Sequence, residues 1–399
     1  MRKILILAFV LFAFQNVIAQ HQMPEGAVPY EKAEECKECH ETIYNEWKES
    51  IHSRSSAHTD KAHAAVHVAF SNAMEKKKKQ GKKASPNYHC ANCHTPMADN
   101  IKALMKGKAK LNPKNWKETE GISCTFCHRV ESIVKKEKFN SYTINKDGAL
   151  NVSQIRGADS SDHHKVKASP LFKEGEMCLG CHSHKVNGKG GVVCSMDEET
   201  GGKKVNCLNC HMDEIDGAPA TDSKRKKHFS HKVMGGHFPE MVKTAAKIDV
   251  SMSGNNIKVV LENKLESHKF PSTNPLRLGW VKLSAKNKSG KEVWTNYKKM
   301  PMEDKQGVLM RVFTMKDKKT GKVKVGVPSW ENTGNKDSRL KPKEKRTLNY
   351  KLPGKVAGKV TQVDAKLMYR LFNPKAIKNM KIPKEEQSVV EVSISTWKK

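Results

Sequence analysis

Ten of the eleven cysteines fall into five frames of one spacing, "CKECH" (36–40), "CANCH" (90–94), "CTFCH" (124–128), "CLGCH" (178–182) and "CLNCH" (207–211), each closed by a histidine. Histidine is only 18 of 399 residues, so its arrival after the second cysteine every time is not an accident of composition. Two thiols three positions apart can bond one edge of a flat group, and the adjoining imidazole then points back at a metal in its centre. That is the frame of c-type haem attachment. It casts Cys36, Cys39, Cys90, Cys93, Cys124, Cys127, Cys178, Cys181, Cys207 and Cys210 as the covalent attachment points and His40, His94, His128, His182 and His211 as axial ligands. Zinc sites use paired cysteines but need no histidine directly after every second one. A disulfide scaffold has no use for the histidine either. The expected cofactor is five covalently bound haem c.

The first residues bear on the compartment. Arg2 and Lys3 precede an apolar run from Ile4 to Phe14 and a small-residue "VIA" before Gln20, the pattern of a cleaved secretory signal peptide over residues 1–19. The apolar run is shorter than the roughly 20 residues that span a bilayer, and no integral membrane segment is expected further on. A periplasmic or extracellular location follows. The net charge is +31, or +29 once Arg2 and Lys3 leave with the leader, which favours acidic redox partner proteins. Nucleic acid is an unsuitable partner, because no recognition fold accompanies the charge. Hydrophobic residues are 37% of the chain and aromatic residues 6%, low for a folded protein of this length. Five porphyrins would supply the missing apolar surface, and their propionates would offset part of the positive charge.

Each motif histidine fills one axial position, so further histidines are candidates for the opposite faces. On these residues the chain resembles a known group. "CKECHETIYNEWKESIH", "HCANCHTPMA", "EGISCTFCHRV", "MCLGCHSH", "CLNCHMDE" and "SHKFPSTNPLR" are similar to stretches of the multihaem c cytochromes related to cytochrome c-554 and the hydroxylamine oxidoreductase group. The resemblance implies bis-histidine haems, a helical and loop-rich haem domain, and electron transfer in the periplasm or outside the cell. It implies His52 as a distal ligand through the frame Trp47, Ser50, His52. It also implies His89, next to Cys90, as a ligand to a neighbouring haem, and His231 from "HFSHKVMGGH" in preference to His228 or His237. His164, or its neighbour His163, and His268 complete the set. Ser267 stands where similar proteins carry glycine. His58, His63 and His67 read as surface residues or propionate partners, and Met97 and Met212 as packing rather than ligands. The odd cysteine, Cys194, has no place in the five frames.

The elements that must hold these groups change character along the chain. Up to residue 244 the pattern is a pentahaem cytochrome c domain, 20–244, with helices after the motifs, as in "ETIYNEWKES", and long irregular loops. From 245 to 399 cysteine is absent and seven alternating runs, from "IDVSMSG" to "VVEVSISTW", are separated by turn signals such as "KNKSGKE". The fold class expected is α+β, a mainly helical haem domain followed by an immunoglobulin-like β-sandwich.

Two functions fit. The first is an exported electron carrier with closely spaced bis-histidine haems of low potential. The second is an oxidoreductase of a small nitrogen or sulfur compound, which needs one iron open to substrate. Enzymes of that kind often replace the attachment histidine by lysine, and no such frame occurs, so the reading favours a carrier over a catalyst. An oligomer or extracellular assembly would use the same chemistry.

Overall fold

The structure is a computed structural model, and it describes residues 30–81, 88–135, 140–153, 163–183, 185–186, 192–201, 203–272, 274–316, 320–325 and 334–399. The signal-peptide reading of residues 1–19 lies outside these residues.

Each cysteine frame forms a single helical turn. In three of them the histidine N–H donates to the carbonyl of the first cysteine, His40 to Cys36 at 3.0 Å, His94 to Cys90 at 2.9 Å and His211 to Cys207 at 3.1 Å. Positions i, i+3 and i+4 of a helical turn share one face, so both thiols and the imidazole project to the same side. The expected run of helices after the motifs holds only in part. The helix Glu41–Glu49 follows the first motif, but strands Val130–Val134 and Glu214–Asp216 follow the third and fifth. "VESIV" is rich in β-branched residues, which suit a ribbon and lose rotamer freedom in a helix.

The longest helix is Lys61–Lys79. Asp60 caps it by accepting from the His63 N–H at 2.9 Å, and Lys76–Lys79 lie in its last turn, where positive charge complements the helix dipole. No described helix is long and apolar enough to cross a membrane. Side-chain packing up to residue 244 is divided among small clusters, such as Ala33 with Tyr44 and Trp47, or Met97 with Ile122, Phe126 and Val130.

After the helix Pro239–Thr244 the chain turns to strands. All seven runs expected from alternation form strands. Three make an antiparallel sheet in the order Lys345–Lys351, Asn256–Asn263, Ala246–Ser253. The other four pair in the order Glu292–Thr295, Leu278–Lys286, Gln362–Arg370, Val390–Lys398, with Val308–Leu309 also on Leu278–Lys286. The inward faces of both sheets share one core, with Ile257, Val259 and Leu261 from one and Leu283, Ala285, Val363, Ala365 and Leu367 from the other, all essentially buried. Between the fourth and fifth runs the chain inserts a small sheet, Val323–Val325, Arg311–Lys316, Gly334–Asp337, that alternation did not reveal. The architecture is α+β.

Candidate functional site

A connected cavity of about 3100 Å³ runs through the region of the motifs and is lined by all ten motif cysteines and all five motif histidines. A single drug-sized ligand needs about 300–1,000 Å³, so this space has room for several large groups.

Four motif histidines face a second imidazole across the cavity. The ring centres of His40 and His164 are 6.2 Å apart, those of His52 and His182 6.1 Å, those of His128 and His231 6.3 Å and those of His211 and His268 6.4 Å. Three of the pairs are stacked, at interplanar angles of 27°, 19° and 22°. An imidazole–metal bond is about 2.0 Å, and a ring nitrogen sits about 1.1 Å from its ring centre. Two imidazoles on opposite sides of one metal therefore place their centres about 6.2 Å apart. The four pairs have that spacing.

The rings are aimed from behind. The Nδ1–H of His40 donates to the Pro219 carbonyl at 2.6 Å, that of His128 to Asn151 at 2.7 Å, that of His94 to Ser55 at 2.9 Å, and that of His211 to Met234. A carbonyl only accepts, so the proton sits on Nδ1 and the lone pair on Nε2 faces the cavity. His231 is held likewise by Phe229 at 2.7 Å. Burial pushes the imidazoles of His52 and His268 down to about 4 and that of His231 to about 3, which keeps them neutral and able to donate a lone pair at pH 7.

The frame Trp47, Ser50, His52 has a structural cause. The indole N–H of Trp47 donates to the Ile122 carbonyl at 2.8 Å, Ser50 Oγ to the Trp47 carbonyl at 2.7 Å, and the Ile122 N–H to the His52 carbonyl at 2.9 Å. The segment leading into the third motif thereby clamps the histidine that faces the fourth. His231 is steadied by Glu46, which accepts its N–H at 2.8 Å and lies 3.1 Å from His228 Nε2. His268 reaches the cavity from the loop before the strand Leu278–Lys286.

The second motif is arranged differently. The ring packed on His94 is that of His63, 3.9 Å away and tilted by 57°. His63 is buried on Lys61–Lys79, so of the two readings its sequence context left, surface residue or propionate partner, the first does not hold; helical spacing brings it to the cavity with Val66, Phe70, Ala73 and Met74. His89 is exposed in the turn before Ala91–His94 and belongs to none of the four pairs. His163 is exposed while His164 stacks on His40. Cys194 ends the strand Val192–Cys194.

Motifs also meet in pairs. The side chains of Cys36 and Cys124 lie close together, as do those of Cys178 and Cys207, so the first frame abuts the third and the fourth abuts the fifth.

Residues 35–129 and 132–212 match the family of cytochrome c554 and c-prime. Over that stretch the chain is similar to the multihaem c-type cytochromes of the c554 group. No curated protein matches it. Among solved structures it is similar to a penta-heme cytochrome c552 from Thermochromatium tepidum, with a TM-score of 0.71 and 23% identity, over 92% of this chain and 99% of that one. That likeness is one of fold. The cysteine frames, the paired imidazoles, the carbonyls behind them and the lined cavity fit covalently bound haem c.

Proposed function

We propose that this protein is an exported pentahaem electron carrier. The observation that carries the reading is the set of four imidazole pairs with ring centres 6.1–6.4 Å apart. On it, the haems would be held by His40 with His164, His128 with His231, His182 with His52 and His211 with His268, and the one at the second motif by His94. Haem c, once bound, takes up and passes on one electron. The residues of this chain do the rest: cysteines fix each group in place, carbonyls hold each imidazole on its Nδ1 proton, and closely packed frames keep successive groups near one another.

The assigned organisation is a leader over 1–19, a haem domain over 20–244 and an immunoglobulin-like sandwich over 245–399. Location in the periplasm or outside the cell fits the leader pattern, and the basic surface fits an acidic redox partner.

One observation favours the second reading, an oxidoreductase of a small nitrogen or sulfur compound. At the second motif His63 stands too close to His94 for a metal to lie between the rings, so that motif is built unlike the other four. Electron paramagnetic resonance of the ferric protein and carbon monoxide titration of the ferrous protein separate the readings. The four paired haems should be low-spin and ignore carbon monoxide on either reading; a fifth haem that also ignores it supports the carrier, and one haem per chain that binds it supports the oxidoreductase. Intact mass should show five haems above the polypeptide from Gln20, and four or fewer would break the count.

A further inference from the structure

The loop that brings His268 to His211 comes from the β-rich part of the chain, and its grip on the motif region is a buried cluster of charges. Arg339 is 5% exposed. Its guanidinium makes a two-pronged contact with Asp337, Nε to Oδ1 and the terminal nitrogen to Oδ2, both 2.8 Å. The other terminal nitrogen donates to Glu199, itself 6% exposed, and to the carbonyl of Pro271 at 3.3 Å. Lys269, the neighbour of His268, donates to Asp337 at 2.8 Å. Glu199 belongs to the short helix Met196–Glu199, in the segment that leads into the fifth motif.

One side chain therefore ties three segments together: the approach to the fifth motif through Glu199, the His268 loop through Pro271, and the inserted strand through Asp337. The same loop is stitched by Phe270 and Leu340, which exchange backbone hydrogen bonds at 2.9 and 3.0 Å, and by Asn263, whose amide donates to the His268 carbonyl at 3.0 Å. These contacts hold the loop to its own sheet. The contact of Arg339 with Glu199 is the one that crosses to the motif side, and it is enclosed, where a charge without its partner is costly.

We propose that Arg339 and Glu199 are a positioning pair that sets His268 opposite His211, so that the β-rich part delivers a ligand to the fifth haem and the ion pair fixes its register. The proposal rests on the reading of His268 as an axial ligand. It explains why a planar, forked cation occupies this place: a lysine cannot bind Asp337 with two prongs while reaching Glu199 and Pro271.

The test uses the mature, fully haem-loaded protein, read by ferric electron paramagnetic resonance and by carbon monoxide titration after reduction. Arg339→Met should turn one haem per chain from low-spin to carbon-monoxide-binding. His268→Ala should do the same, and combining the two should open no second haem. The double variant Glu199→Met with Arg339→Met, which removes both charges at once, should restore the low-spin state. If Arg339→Met does not fold, Glu199→Gln keeps the shape, loses the charge and should open the same haem. An Arg339→Met protein with a lowered melting temperature but an unchanged spectrum would overturn the proposal and leave the ligand reading standing. A His268→Ala protein with the parent spectrum would sink the ligand reading, and the proposal with it.

Discussion

His63 and His94 bring their ring centres within 3.9 Å and aim both Nδ1 atoms at the single carbonyl of Ser55, 2.8 and 2.9 Å away. One carbonyl oxygen has two lone pairs and can accept both. The two rings therefore stand side by side, not across a metal. Replacing His63 by Ala should remove a hydrogen bond from Ser55 without adding a new high-spin haem. A ferric spectrum that gained a high-spin signal on His63→Ala would show that His63 is a ligand.

The opposite outcome is expected for His52, whose ring centre is 6.1 Å from that of His182. His52→Ala should convert one haem per chain to a five-coordinate form that binds carbon monoxide, because methyl cannot replace imidazole as a donor. An unchanged spectrum would remove His52 from the ligand set.

Gly121 bears on the same histidine. Its φ is +89°, and a Cβ there would lie 2.5 Å from the His52 carbonyl oxygen and 2.9 Å from the Ser55 nitrogen. Gly121→Ala should cost about 1–3 kcal/mol from backbone strain alone, and more as the chain shifts. Thermal unfolding followed in the Soret band should show a lowered midpoint; a midpoint equal to that of the parent would mean that the segment gives way freely.

What could be read ahead of the structure was what is written locally. The cysteine frames are one helical turn long, so the placing of two thiols and an imidazole on one face is legible as spacing. His52 sits in a frame that carries its own clamp, Trp47 and Ser50. The strands announced themselves by alternation because one face of each meets the common core. His164 lies more than a hundred residues from His40, and no local pattern says that the two rings will face each other. The surface reading of His63 failed for a related reason: nothing local to "KAHAAVH" shows the cavity beside it. The inserted sheet and Arg339 were missed because their meaning lies in contacts with Glu199 and Pro271, which only tertiary packing supplies.

The basic surface makes a kinetic prediction. Exposed charges are screened over about 8 Å at physiological ionic strength, so association with an acidic redox partner should slow steeply as salt rises. Stopped-flow rates that stay flat from low to high salt would take electrostatic steering out of the account.

The last prediction concerns acid. Burial works against ionisation of Asp337, but the hydrogen bonds from Arg339 and Lys269 win and hold its carboxyl well below the usual carboxylate range. In the unfolded chain an aspartate titrates at about 3.9. A group whose pKa is depressed on folding binds its proton more readily in the unfolded state, so its stabilising contribution is complete above the unfolded value and is lost as pH falls toward the folded one. Asp337→Asn keeps the shape and removes the charge. The difference in melting temperature between parent and variant should be constant from pH 8 to about pH 5, above the unfolded value, and should shrink once the pH passes below about 4. Other carboxylates titrate in the same range, but they do so in both proteins and cancel in the difference. A gap that stayed constant down to pH 3, or widened in acid, would mean that Asp337 holds Arg339 by shape and not by charge.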